Sequence, residues 1–249
     1  MRSAWEISRE MFLSEQEADA LLGFVRRDVS RAAAVPRTAA PPQPTAQLDR
    51  LIIETLLFTG LRNSEFCRLT LGDLDLEPSG ARLTIRQGDT IDRVVYLPSA
   101  VALLLDDYRR TTRRGLLPPD VDEADPLQPL VFHERRRPFE RTGLYRRVVR
   151  VLTEAGLGDR ASVQLLRHTY GYLAYLRTGG NLLFTQRQLG HAHPIVTSIY
   201  AQFVDESYSR LAEMLSASPA SATSPEQPLP ARVSSRKKTS PAPVPGTQT

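Results

Sequence analysis

Cysteine occurs once in the 249 residues, at Cys67, so the chain can form no internal disulfide. A lone thiol without companion ligands does not build a zinc site of the usual kind, and beside Phe66 it reads as a small core side chain. Lysine is nearly as scarce: Lys237 and Lys238, close to the carboxyl end, are the only two. Cationic chemistry elsewhere falls to arginine, which stays charged and presents a planar fork to oxyanions. No apolar run is long enough to span a bilayer, and the opening Met-Arg-Ser-Ala-Trp-Glu-Ile-Ser-Arg-Glu puts charges where a secretion signal needs apolar residues. The expectation is a cytoplasmic protein without membrane contact. Hydrophobic residues make up 41%, adequate for a packed core in one large domain or two small ones.

The formal charge is +4 and the isoelectric point about 9.4, a balance that fits a nucleic-acid partner. Most of the excess lies beyond Ser216, where Arg232, Arg236, Lys237 and Lys238 face Glu226, so the body is nearly neutral. Within the body, arginines cluster at Arg109, Arg110, Arg113 and Arg114, at Arg135 to Arg137, and at Arg146, Arg147 and Arg150. Such clusters suit phosphate contacts, and they suit equally well a solvated face paired with nearby carboxylates.

Ser14 ahead of Glu15, Glu17, Ala18, Leu21, Leu22 and Val25 predicts an N-capped amphipathic helix running toward Ala34. Pro36, Pro41, Pro42 and Pro44 predict an exposed loop over Val35 to Pro44. A second helix is expected from Thr45 to Gly60, with Leu48, Leu51, Ile52, Thr55 and Leu56 on one buried face. A short helix over Ser64 to Leu71 and a turn over Gly72 to Leu76 follow. Two β-like runs, Arg82 to Arg86 and Arg93 to Leu97, flank the loop Gln87 to Asp92 as a small hairpin. Further helices are expected at Ser99 to Arg113, Arg141 to Ala155, Ser162 to Thr178, Leu182 to Gly190, Pro194 to Tyr200 and Val204 to Leu215. The fold class is α+β, mainly helical with a small antiparallel sheet. Residues 1–11 form an amino-terminal extension, 12–216 the domain, and 217–249 a disordered basic tail rich in Ser and Pro.

Four polar elements punctuate the apolar helices: Thr59-Gly60-Leu61-Arg62-Asn63-Ser64-Glu65, Gln164-Leu165-Leu166-Arg167-His168, Leu189-Gly190-His191, and Ile199-Tyr200. Singly, each has a bland account. Arg62 pairs with Glu65 one turn on, Arg167 sits on the surface, His191 caps a helix, and Tyr200 is a core aromatic.

In this order the four elements resemble the tyrosine recombinases, or phage integrases, over most of residues 12–216. Thr59 to Glu65 matches that family's Thr-Gly-Leu-Arg-x-x-Glu segment. Arg167 and His168 match the end of its His-x-x-Arg-His segment, and Leu189 to His191 its Leu-Gly-His element, with Tyr200 nine residues after His191 as the family places its nucleophile. The resemblance implies the family's catalytic fold and a site-specific recombinase that cuts and rejoins double-stranded DNA through a 3′-phosphotyrosyl bond. Arg62 and Arg167 would hold the phosphate, His191 would donate a hydrogen bond to it, and Glu65 would orient its neighbours. The covalent bond conserves the phosphodiester energy, so the resemblance implies no cofactor, neither ATP nor metal. It also implies a dimer to tetramer on DNA, association with the nucleoid, and a helix after Tyr200 (Phe203, Val204, Tyr208, Leu211, Met214, Leu215) that docks on a neighbouring subunit or packs on its own core. Arg86, Arg93, Arg146, Arg147 and His168 are candidate DNA contacts.

Two positions depart from the family pattern. Gln164 stands where relatives carry histidine, and glutamine donates a hydrogen bond without exchanging a proton near neutrality. The hairpin has Asp89 where relatives carry a lysine, the acid for the leaving 5′-oxygen; Arg86 or Arg93 could approach that oxygen, yet arginine releases a proton poorly. Only about a dozen residues precede the first domain helix, as in short invertase-type members that lack the amino-terminal DNA clamp. These departures motivate the alternative expectation, a catalytically impaired relative that binds DNA or regulates.

Overall fold

The computed structural model describes residues 8–34, 44–119 and 121–204. The expected loop over Val35 to Pro44, apart from Pro44, lies outside them, as do the helix after Val204 and the tail at 217–249.

Helix α1 (Glu15–Ala34) begins as its sequence predicts: the Glu17 amide donates to Ser14 Oγ at 3.1 Å while the Ser14 amide donates to the Glu17 carboxylate at 2.7 Å. That reciprocal pair satisfies two amides that a helix start leaves orphaned. Helix α2 (Thr45–Thr59) is the spine, and α1 packs along it. It differs from the single buried stripe expected, because Leu48, Ile52 and Leu56 are buried together with Ile53, Leu57, Asp49 and Glu54 on its other sides. Helices α4 (Ser99–Arg110), α6 (Arg141–Glu154) and α7 (Val163–Arg177) also cover it, which leaves no solvated face.

Two acids on so enclosed a helix need partners. Glu54 accepts from Arg26 at 2.8 Å and Arg50 at 2.9 Å, and Asp49 accepts from Arg147 at 2.6 Å and Arg150 at 2.8 Å. Burial alone pushes the Glu54 carboxyl upward, but the Arg26 and Arg50 hydrogen bonds outweigh it and the net shift is downward. Arg147 also reaches Glu134 at 2.7 Å, and its side chain is only 11% exposed. It ties α6 to α2, so the expected phosphate contact at Arg147 is not a free cation here. The Arg109 to Arg114 cluster meets the same end. Arg109 and Arg110 share Asp106, Arg114 holds Glu123, and Arg113 is buried, donating to the carbonyls of Leu130 and Pro129. By contrast, Arg146 is exposed and makes no ion pair among the described residues.

After α3 (Asn63–Arg68), the turn expected at Gly72 to Leu76 resolves into a 3-10 turn, Leu71–Asp73, and a short strand β1 (Leu74–Asp75). Strands β2 (Arg82–Gln87) and β3 (Thr90–Tyr96) complete a three-stranded antiparallel sheet in the order β1-β2-β3, with Leu83 opposite Val95 in the core. The hairpin is tighter than predicted, leaving Gly88 and Asp89 as its turn. The long helix expected over Ser99 to Arg113 breaks at Thr111 and resumes as α5 (Thr112–Leu116), which turns Arg113 inward. Helix α8 (Leu182–Leu189) and the short α9 (Pro194–Ser198) close the described fold, with Tyr200 just beyond α9. No helix among the described residues is long and apolar enough to cross a membrane.

Candidate active site

The carboxyl end of α8 gathers the site. A helix leaves its last carbonyls without internal partners and carries partial negative charge there, so it attracts cations. Three consecutive carbonyls at this end each receive a different guanidinium: Gln188 from Arg93 Nε at 2.9 Å, Leu189 from Arg167 Nη2 at 2.7 Å, and Gly190 from Arg62 Nη2 at 3.1 Å. Arg167 also donates to the Gly60 carbonyl at the end of α2.

Both glycines have steric reasons to be there. Gly60 and Gly190 each adopt a left-handed backbone, with φ of 62° and 66°, which ends α2 and α8 and turns those carbonyls toward the arginines. A Cβ would stand 2.5 Å from the Tyr170 ring at Gly60 and 2.9 Å from Arg93 at Gly190. The Thr-Gly-Leu-Arg and Leu-Gly-His elements thus meet in space, with Arg62 Nη2 on the Gly190 carbonyl.

Glu65 is the carboxylate that links the cations. It is buried and accepts from Arg62 Nη1 at 2.6 Å, the Arg62 amide at 2.7 Å, and both terminal nitrogens of Arg93 at 2.9 Å. Burial, the largest influence, pushes its pKa up, yet the Arg93 hydrogen bonds and charge, with those of Arg62, bring it down to about 2. The Arg93 side chain is only 7% exposed, so it braces Glu65 and is not the open DNA contact anticipated from sequence. Arg62, at 44%, keeps a face toward solvent. Burial and then the neighbouring Arg62 lower the Arg167 pKa to about 10, which still leaves it charged at neutral pH. Asp92 also accepts from Arg93 at 2.9 Å, so three guanidiniums face two carboxylates and one positive charge stays unspent.

His191 follows the α8 cap. Its Nδ1 lies 2.9 Å from Thr197 Oγ1, and burial, then Arg167 and Arg62, push its pKa down to about 4, so the ring is neutral at physiological pH. An open cleft of about 750 Å³ is lined by Arg93, Gly190, His191, Tyr96, Phe184 and Arg187, among others.

Tyr200 departs most from the expected picture. It is 1% exposed and packs with Phe12, Tyr170, Ala174 and Leu189, and its hydroxyl lies 3.1 Å from His168 Nδ1. Burial raises its pKa to about 12, against a smaller downward pull from Arg167. The ring occupies space that only glycine at 171 leaves open, since a Cβ there would lie 2.5 Å from the hydroxyl. His168, proposed from sequence as a DNA contact, is instead the partner of the phenol, and burial followed by the Arg167 charge lowers its pKa to about 4. Gln164 is exposed one turn before Arg167, and its side chain makes no hydrogen bond among the described residues. Arg86 turns to Asp73 at 2.8 Å and lines a separate cleft with Arg68 and Thr70. Sequence reasoning missed the roles of Arg93, Gly171 and Thr197, which depend on contacts between distant elements. No group of metal-ligating residues occurs among the described residues.

The family model for the phage integrase family matches residues 12–207. The chain belongs to that family. A tyrosine recombinase of Pseudothermotoga lettingae is 32% identical over 160 residues, which cover 64% of this chain and 51% of that protein. Tyrosine recombinase XerA of Saccharolobus solfataricus is 31% identical over 157 residues, 63% of this chain and 46% of that one. This integrase-family chain therefore spans about half the length of the curated relatives it matches. Among solved structures, the XerH site-specific recombinase bound to its difH substrate after cleavage superposes with a TM-score of 0.61 at 26% identity, over 82% of this chain and 52% of that one. The XerA recombinase superposes at 0.58 with 27% identity, over 82% and 64%. These neighbours share the mainly helical catalytic fold with its small antiparallel sheet.

Proposed function

We propose that this chain is a site-specific recombinase that cuts and rejoins double-stranded DNA through Tyr200, working as a dimer to tetramer on its site. The observation that carries the reading is the delivery of Arg62 and Arg167 to adjacent carbonyls of α8, with His191 next in sequence. An excess of fixed positive charge with one exposed fork suits a phosphodiester, whose non-bridging oxygens gain charge as a fifth bond forms. The relatives carry names of the same chemistry, and XerH was captured with cleaved DNA.

In the reaction the phenol loses its proton and its oxygen attacks phosphorus. The bond to the 5′-oxygen breaks, that oxygen takes up a proton, and a 3′-phosphotyrosyl bond remains. Arg62 and Arg167 hold the phosphate oxygens, and Glu65 keeps Arg62 and Arg93 in place. Attack by a 5′-hydroxyl of another strand reverses the steps, with no energy input and no cofactor required.

The pose at His168 is a resting one, in which burial keeps the phenol protonated. DNA contact must draw the segment from Pro194 to Phe203 away from α7, so that Tyr200 exchanges Gly171 and His168 for the phosphate. Cleavage is then slow until a complete complex forms, and whether it proceeds with Gln164 in place of a histidine is settled by turnover. The test uses a nicked-duplex library prepared from DNA flanking the gene. An SDS-resistant protein–DNA band that disappears in Tyr200→Phe supports the recombinase. Retarded DNA with no covalent band from the wild type would instead make the chain a DNA-binding member without turnover.

A further inference from the structure

Thr197 sits between the two catalytic groups that sequence alone cannot connect. Its side chain is wholly buried on α9, and its hydroxyl meets His191 Nδ1 at 2.9 Å. Its carbonyl accepts the Tyr200 amide at 3.1 Å. One residue therefore touches the imidazole through its side chain and the nucleophile's backbone through its main chain.

A neutral imidazole carries its proton on one nitrogen only, and the partner of the other decides which. The Thr197 hydroxyl makes no other side-chain hydrogen bond among the described residues, and its burial denies it water. Among the described residues the imidazole is the one acceptor within reach of that hydrogen, so the arrangement that satisfies it has Oγ1–H donating and Nδ1 accepting. The ring proton then rests on Nε2, the nitrogen left uncommitted on a ring that lies in the field of Arg167 and Arg62.

We propose that Thr197 is a positioning residue that fixes His191 as an Nε2–H donor toward the scissile phosphate and links that donor to the Tyr200 segment. This rests on the recombinase reading for its consequence, and on geometry alone for the tautomer. When the α9 segment moves to deliver Tyr200, the Thr197 hydroxyl is the contact through which that movement reaches His191. Recognition of the phosphate and placement of the phenol are thereby coupled.

Two measurements on the full chain test it. Side-chain 15N NMR of the wild-type protein near pH 7 should show His191 with a bare, acceptor-type Nδ1 and a protonated Nε2. A protonated Nδ1 overturns the assignment whatever the activity, and it needs no variant. Single-turnover cleavage of the nicked substrate supplies the second readout. Loss of an orienting hydrogen bond commonly reduces function about tenfold to a hundredfold, so Thr197→Val should cleave slower by that factor with unchanged DNA affinity. Thr197→Ser, which restores the hydroxyl, should recover most of the rate. Wild-type speed in Thr197→Val, or failure of Thr197→Ser to recover when the NMR tautomer is restored, contradicts the proposal. If the wild type itself yields no covalent product, the recombinase reading fails while the tautomer measurement still decides the role of Thr197.

Discussion

Replacing Glu65 by glutamine probes the electrostatic frame of the site directly. Glu65 is buried between Arg62 and Arg93, and its pKa falls from the ordinary 4.5 to about 2. A depressed carboxyl stabilises the fold above its unfolded pKa, and that stability is lost as pH falls toward the folded value. The interval is roughly 2.5 units, which at about 1.4 kcal/mol per unit corresponds to about 3 kcal/mol present at pH 7 and removed between about pH 4.5 and 2. Glutamine keeps the shape but leaves Arg93, 7% exposed, with only the more exposed Asp92 as countercharge, so the loss stays at or below the about 3–5 kcal/mol of a fully broken buried pair. Urea unfolding followed by circular dichroism should therefore separate wild type and Glu65→Gln by about 3 kcal/mol at pH 7, and the gap should narrow as pH falls through that window. Glu134, also held near 2, titrates in both proteins and cancels in the difference. A gap that stays constant from pH 5 to pH 2.5 would refute the reasoning.

Other substitutions follow from the same contacts. Gly171→Ala places a methyl against the Tyr200 hydroxyl, so it should destabilise the resting pose by about 1–3 kcal/mol and raise the accessibility of Tyr200 to nitration, read by peptide mass. Arg167→Lys cannot span the carbonyls of Gly60 and Leu189 with one ammonium, and covalent adduct formation should fall by about a hundredfold or more. Arg146→Ala should weaken DNA binding across sequences and reduce the slope of log affinity against log salt by about one, whereas Arg110→Ala, already paired with Asp106, should leave that slope unchanged. Arg147→Ala leaves Asp49 and Glu134 short of a partner and should lower stability, read as a fall in urea midpoint.

Local chemistry made much of this molecule legible before any coordinates. Ser14 announces α1, Gly60 and Gly190 announce the ends of α2 and α8, and the elements carrying Arg62, Arg167 and His191 lie together at one end of α8, while the Tyr200 hydroxyl rests at His168. What stayed hidden depends on contacts between remote residues. The sequence reads as one helix from Ser99 to Arg113, but the helix breaks at Thr111 and Arg113 donates to the Leu130 and Pro129 carbonyls. Arg93 and Arg147 look like surface cations until Glu65, Asp49 and Glu134 arrive from other elements. The resting place of Tyr200 depends on the missing side chain at Gly171, 29 positions earlier, which no periodicity within either helix reports.

The central claim is that Tyr200 leaves His168 to bond with a DNA phosphate. Its most direct test is mass spectrometry of the protease-digested, SDS-stable complex. The account predicts a 3′-phosphonucleotide on the peptide containing Tyr200, absent in Tyr200→Phe. A link mapped to any other residue, or a nick generated with no covalent peptide, would contradict it.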